Sequence, residues 1–214
     1  VRGRMDVVPE LRVVDHPLLA DRVAVMRDRD SDRATFRRAM RAAAVLLAVE
    51  ATKDLATVDA EIETPLERTT VRKIEGDVVL VPVLRAGLGM LDPFLDVVPE
   101  ARVGHIGLER DEASLQPRRY FERLPEEVPV ARTLVLDPML ATGGSAIHAL
   151  DALREAGARE LALVVLVAAP EGVAKVQERH PDVPIIAATL DRQLDENGFI
   201  RPGLGDAGDR VFGT

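Results

Sequence analysis

The stretch with the most chemical content runs from Leu134 to Ser145: Leu134-Val135-Leu136-Asp137-Pro138-Met139-Leu140-Ala141-Thr142-Gly143-Gly144-Ser145. A short apolar run ends in an acid, and a turn of small residues then leads into a helical pattern. A helix N-terminus presents unpaired N–H groups and about half a unit of positive charge, which suits a phosphate. Gly143 and Gly144 permit a backbone approach that a Cβ would block, Thr142 and Ser145 add hydroxyl donors, and Asp137 is placed to accept two ribose hydroxyls. The carboxyl end of a strand is also where open α/β sheets bind ligands. A plain helix start capped by Thr142 or Ser145 fits the same residues. The loop lacks the lysine of the nucleoside triphosphate loop and the glycine spacing of a dinucleotide fingerprint.

A second strand-to-helix turn, Val83-Leu84-Arg85-Ala86-Gly87-Leu88-Gly89, carries a guanidinium. Arg85 offers several fixed donors to a diphosphate, and Gly87 allows the backbone to come close. A surface arginine beside a helix start is the alternative. Arg110 sits in the charged run Gly107-Leu108-Glu109-Arg110-Asp111-Glu112, a pattern that also suits a solvated surface. The tail Asn197 to Asp209 has four glycines and one proline among its residues. Exposed backbone groups of that kind suit the edge of a small planar base; a flexible tail has the same composition. The four histidines show neither zinc-site spacing nor a Ser-His-Asp order.

The elements that must position these residues alternate. Val78 to Leu84, Leu134 to Leu136, Leu161 to Val167 and Ile185 to Leu190 are continuous apolar runs, as in parallel strands buried on both faces. Gly143 to Ala156 and Glu171 to His180 read as helices between them, the first stopped by Gly157. Earlier in the chain, Pro17 opens a short helix. Ser31 or Asp32 caps a longer one with apolar residues at Phe36, Met40, Ala44 and Leu47. The alternation predicts an α/β fold: a mostly parallel sheet of about five strands flanked by helices. Residues 107–131 read as a hairpin or flap. The tail, 191–214, lacks periodicity and reads as neither ordinary strand nor ordinary helix. One domain, 1–214, accounts for the length.

Composition narrows the function classes. The net charge of −8 argues against a nucleic-acid partner, which demands a basic face. With one Tyr and no Trp, stacking platforms for single strands are also unexpected. The absence of cysteine excludes disulfides, thiolate metal sites and cysteine nucleophiles, and fits a cytoplasmic location. No apolar run is long enough to span a membrane, and Val1 to Glu10 lack a signal-peptide core.

The stretch Asp137-Pro138-Met139-Leu140-Ala141-Thr142-Gly143-Gly144-Ser145 resembles the phosphoribosyl pyrophosphate signature of the type I phosphoribosyltransferases, specifically the uracil branch, which has Asp-Pro where many relatives have two acids. Three further blocks match in order: Leu84 to Met90, Ala168-Ala169-Pro170-Glu171-Gly172, and Pro202 to Asp209. The resemblance runs from about Val14 to Gly213. It implies transfer of phosphoribose from 5-phospho-α-D-ribose 1-diphosphate (PRPP) to uracil, giving UMP and pyrophosphate in pyrimidine salvage. Residues 137–145 would bind PRPP, Asp137 on the ribose hydroxyls and 141–145 on the 5-phosphate, with Arg85 and Arg110 on the diphosphate and Asp206 on ribosyl diphosphate or its metal. Ile200, Gly205, Asp206 and Ala207 would meet the base. It further implies Mg²⁺ accompanying PRPP, GTP as a candidate allosteric activator, a homodimer or higher homo-oligomer, and an often cis peptide near Arg85-Ala86. The N-terminal arm and 191–214 would form a hood over the base. A divergent paralogue for another base and a pyrimidine-sensing regulator share the pattern. The chain departs from the family at three places: Pro117-Arg118-Arg119-Tyr120 replaces Pro-Val-Pro-Tyr, Phe199 replaces Tyr, and Gln193 replaces Gly.

Overall fold

The computed structural model describes residues 11–110 and 117–214, with side chains described outside 109–118. In chain order the elements are β1 (Leu11–Val13), α1 (Pro17–Arg27), α2 (Arg33–Thr52), β2 (Thr57–Glu63), β3 (Arg68–Ile74), β4 (Val78–Leu84), α3 (Leu88–Val97), β5 (Arg102–Val103), β6 (His105–Arg110) and β7 (Pro117–Arg123). They continue with β8 (Arg132–Leu136), β9 (Met139–Leu140), α4 (Gly144–Glu155), β10 (Glu160–Ala168), α5 (Pro170–Arg179), β11 (Ile185–Leu190), β12 (Gln193–Leu194), β13 (Ile200–Arg201) and α6 (Ala207–Phe212).

The main sheet has the order β1-β11-β10-β8-β4-β6-β7, with β5 on β4 and β9 on β10. Every pair from β1 to β6 is parallel, and β7 returns antiparallel along β6. The five central strands, β11-β10-β8-β4-β6, are the predicted parallel core. Alternate side chains of these strands feed two separate cores. Leu80, Leu134, Leu136 and Val164 pack with α1, α2, α3 and α6. Val79, Val81, Val135 and Leu163 pack with α4 and α5. Burial on both faces is why these strands are apolar without interruption.

The long helix begins where a cap was expected. The Asp32 carboxylate accepts the Thr35 N–H at 2.7 Å, an N-cap that holds the acid's pKa below its ordinary value. At α1 it is His16 that caps, its Nδ1 accepting from Leu18 N at 3.1 Å.

Two features depart from the sequence expectation. Residues 57–74 form a complete antiparallel hairpin, β2 with β3, that belongs to no other sheet among the described residues. Val58, Ala60 and Ile62 alternate with polar residues, which is a strand signal, although most side chains of the hairpin are exposed. The tail, expected to be irregular, contains the short pair β12–β13 and ends in helix α6. What makes α6 is a local cap: Asp206 Oδ1 accepts from Asp209 N at 3.0 Å.

The β4–β8 register sets the site. Val78 pairs with Arg132 and Pro82 with Leu136, so the Arg85 turn leaves the sheet beside Asp137. Gly87 secures this approach. A Cβ there would overlap the Leu136 carbonyl oxygen and lie 2.7 Å from both N and O of Val83. Its φ of −60° is ordinary for any residue, so Gly87→Ala probes sterics alone. Ala would normally be neutral or stabilising at a helix start. Here it should destabilise by about 1–3 kcal/mol through overpacking, read as a lower urea midpoint at unchanged slope.

Candidate active site

Asp137 follows β8 directly. Its N–H donates to Val164 O at 3.1 Å, and its carboxylate accepts from Met139 N at 3.3 Å. Burial pushes its pKa up to about 7, against the opposing pull of the Met139 N–H. Pro138 O accepts from Leu166 N and Val167 N, and Leu140 O from Ala169 N, so the loop is an extension of the sheet. Gly143 then turns the chain into α4 with φ +82°, a conformation that favours glycine. No side chain caps α4, which removes the plain-cap reading of Thr142 and Ser145. Gly172 of α5 presses on the loop from behind: a Cβ there would overlap the Ala141 carbonyl oxygen.

Residues 139–146, Asp137 and Gly198 enclose a cavity of about 180 Å³ at the start of α4. A larger cavity of about 490 Å³ adjoins it. Asp137, Met139, Ala141 and Ser145 stand on the walls of both, while Leu140, Thr142, Gly143 and Gly144 line the smaller one. The tail closes the larger cavity with Ile200, Gly205, Asp206 and Ala207, together with Gly198, Phe199, Arg201, Pro202 and Gly208. The buried carboxyl of Asp137 is thus the hinge point between a helix N-terminus and a glycine-rich wall.

Other nominated residues stand differently. Pro138 lines neither cavity; it anchors the loop through its carbonyl. Arg85 is exposed and donates to Thr214 Oγ1 at 3.2 Å, while its neighbour Ala86 lines the larger cavity. The cis peptide lies between Leu84 and Arg85, one bond before the expected place. Gly87 was read as an opening for a diphosphate; its missing Cβ instead faces Leu136 and Val83. The backbone of Arg110 closes β6, and its side chain lies outside the described part of the structure. Asp206 lines the cavity but commits one carboxylate oxygen to capping α6. In the flap hairpin, Arg119 pairs with Glu122 at 2.5 Å and lies 3.6 Å from Glu155, so neighbouring acids neutralise that cation.

Several supports had no role in the sequence expectation, Glu171 among them although it lies in the Ala168–Gly172 block. Glu171, in the first turn of α5, accepts Leu194 N at 2.9 Å and so fixes β12. Asp195 gathers Asn197 N and Phe199 N, both at 2.9 Å, and Arg201 Nε at 2.8 Å. These bonds hold its pKa below the ordinary carboxylate value, the Phe199 N–H contributing most. The histidines stay apart from both cavities. His148 Nδ1 lies 2.9 Å from Gly144 O, and buried His180 sits 3.1 Å from Asp151. Among the described residues no three His, Asp or Glu side chains converge as a metal site, and no helix is long and apolar enough to cross a membrane.

The family model for uracil phosphoribosyltransferase matches residues 13–214. The chain belongs to the uracil phosphoribosyltransferase family. Its sequence is 52% identical over 202 residues to the uracil phosphoribosyltransferase of Salinibacter ruber, covering 94% of this chain and 96% of that one. It is 51% identical over 205 residues to the enzyme of the same name from Listeria innocua, covering 95% and 98%. Among solved structures, the AQ2163 protein from Aquifex aeolicus superposes with a TM-score of 0.91 at 35% identity, covering 95% of this chain and 98% of that one. A hypoxanthine-guanine phosphoribosyltransferase from Bacillus anthracis, 10% identical with a TM-score of 0.52 over 74% of this chain and 80% of that one, shares the fold. Within this uracil phosphoribosyltransferase-family chain, the departure at Phe199 lies on the cavity wall, with the residue 53% exposed; Gln193 lies off it in β12.

Asp137 makes the ligand-free fold pH-sensitive in a defined direction. Its folded pKa of about 7 exceeds the ordinary carboxylate value of 3.8. Between these values the folded state binds more protons than the unfolded one. Stability from this group is therefore complete below pH 4 and falls as pH rises through 7. Asp137→Asn should abolish this fall, which is on the order of 4 kcal/mol at most. The variant's thermal midpoint should exceed the parent's at pH 8 and approach it at pH 4, as followed by circular dichroism.

Proposed function

We propose that this chain transfers the 5-phosphoribosyl group of PRPP to N1 of uracil, giving UMP and pyrophosphate. The observation that carries the reading is the position of Asp137, a buried carboxyl shared by a helix-start cavity and a cavity walled by backbone-rich tail. In this reading residues 141–145 hold the 5-phosphate against the N-terminus of α4. Asp137 accepts the ribose hydroxyls, and Arg85 and Arg110 receive the diphosphate. Arg85 turns from Thr214 to do so. Ile200, Gly205, Asp206 and Ala207 face the base.

The bond from the anomeric carbon to the diphosphate breaks, a bond from uracil N1 forms, and the N1 proton is released. Catalysis rests on positioning and on electrostatic relief of the separating charges. No acidic cluster is built for a resident ion among the described residues, and Mg²⁺ would enter as part of the substrate. Carried on the diphosphate, it supplies charge neutralisation to the leaving group. We assign the protein to the cytoplasm as a homo-oligomer acting in pyrimidine salvage.

Each of Arg85→Ala and Arg110→Ala removes a charge-assisted contact and should lower kcat/KM for PRPP about ten- to a hundredfold. Steady-state kinetics near the parent value in both variants would reject the diphosphate assignment. The base preference is tested by product formation from PRPP with uracil, 5-fluorouracil and cytosine, with GTP added in a parallel series. Uracil and 5-fluorouracil share one polar edge and should both react. Cytosine inverts that edge against fixed backbone donors and acceptors, and should be rejected by about 10⁴.

A further inference from the structure

Two guanidiniums that the proposed chemistry leaves unused converge on consecutive carbonyls of the tail. Arg27, the last residue of α1, donates from Nη1 to Gly203 O at 2.7 Å and to Asp191 Oδ2 at 2.8 Å, and its Nη2 pairs with Asp191 Oδ1. Asp191 Oδ2 also accepts Gly203 N at 2.8 Å, so the N–H and the C=O of Gly203 are both tied down. Arg210, from α6, donates to Leu204 O at 2.9 Å. The same guanidinium reaches back to Met26 O and, at 2.7 Å, to Asp28 O, and lies 4.4 Å from the centre of the Phe36 ring.

The side chain of Asp191 is only 3% exposed and that of Arg27 24%. A buried charged pair of this kind gives little net stability, because desolvation offsets most of the attraction. What it does give is geometry. Gly203 and Leu204 stand between Pro202 and Gly205, both on the wall of the larger cavity. A short glycine-rich segment has many peptide orientations available, and each rotation would present a different pattern of donors and acceptors. With both carbonyls held by guanidiniums anchored in the helical layer, one orientation is selected.

We propose that Arg27, Asp191 and Arg210 are positioning residues that set which nucleobase edge the cavity accepts. The inference rests on the reading of that cavity as the base pocket. The three residues touch no substrate; they act through the Gly203–Gly205 backbone.

The test uses Asp191→Asn, Arg27→Lys and Arg210→Lys in the full-length chain, with KM measured separately for uracil and for PRPP. A loss of geometry on the base side should raise KM for uracil about tenfold or more and cut the uracil-to-cytosine ratio of kcat/KM by a similar factor. KM for PRPP should stay within about twofold of the parent. A folded variant whose two KM values are unchanged, or rise together with discrimination intact, overturns the proposal. Amide hydrogen exchange supplies a readout independent of turnover. The Gly203 amide should exchange as slowly as the β10 core in the parent protein and much faster in Asp191→Asn; fast exchange in the parent overturns the clamp even where a variant does not fold. If the parent makes no UMP from uracil while its Gly203 amide is protected, the functional reading fails and the clamp stands.

Discussion

The parallel pairing of β4 with β8 governs everything the site does. Two adjacent strands pointing the same way must release their loops at the same edge of the sheet. The in-register pairing of Pro82 with Leu136 brings those loops side by side. The Arg85 turn and the Asp137 loop are therefore neighbours although more than fifty residues separate them. The contact at Gly87, where only a hydrogen fits against Leu136 O, shows how little slack the arrangement has. Helices on both faces bury the strands and leave that edge as the place where polar backbone groups emerge.

The two halves of the site are built by different means. The Asp137–Ser145 side is made of backbone held by the sheet itself: Pro138 O and Leu140 O bonded to β10 and its continuation, and Gly143 turning into α4. The tail side has no such ladder beyond the two-residue pair β12–β13. Long side chains stand in for it, with Glu171 on Leu194 N and two arginines on successive carbonyls. Asp137 belongs to the first half and faces both, in an environment dry enough to push its carboxyl pKa up to about 7.

What the residues disclosed beforehand follows the same division. β4, β8, β10 and β11 were legible because burial on both faces leaves unbroken apolar runs. The Asp137–Ser145 loop was legible because its residue types have few other uses together. The β2–β3 hairpin offered only the short alternation of Val58, Ala60 and Ile62 with acids, and with most side chains exposed it lacks the unbroken apolar run that marks the core strands. Nor was the tie between Arg27 and Asp191 legible: it spans 164 positions and consists of two residue types common on any surface. Arg85 was correctly placed at the turn, yet its side chain points to Thr214, a direction no local pattern encodes. Gly87 was singled out for an approach to ligand, whereas its lack of a Cβ serves the packing of one strand end on another.

Gly172 lies so close to Ala141 O that the loop before α4 has no room to relax backwards. Glycine-rich loops commonly lose conformational freedom when a ligand arrives, and that loss weakens binding. In this protein the freedom is surrendered during folding, when α5 docks behind the loop. In the proposed role the loop would meet a phosphate as a stiff mould, and its share of the binding free energy would be drawn from hydrogen bonds and charge with little ordering left to oppose them.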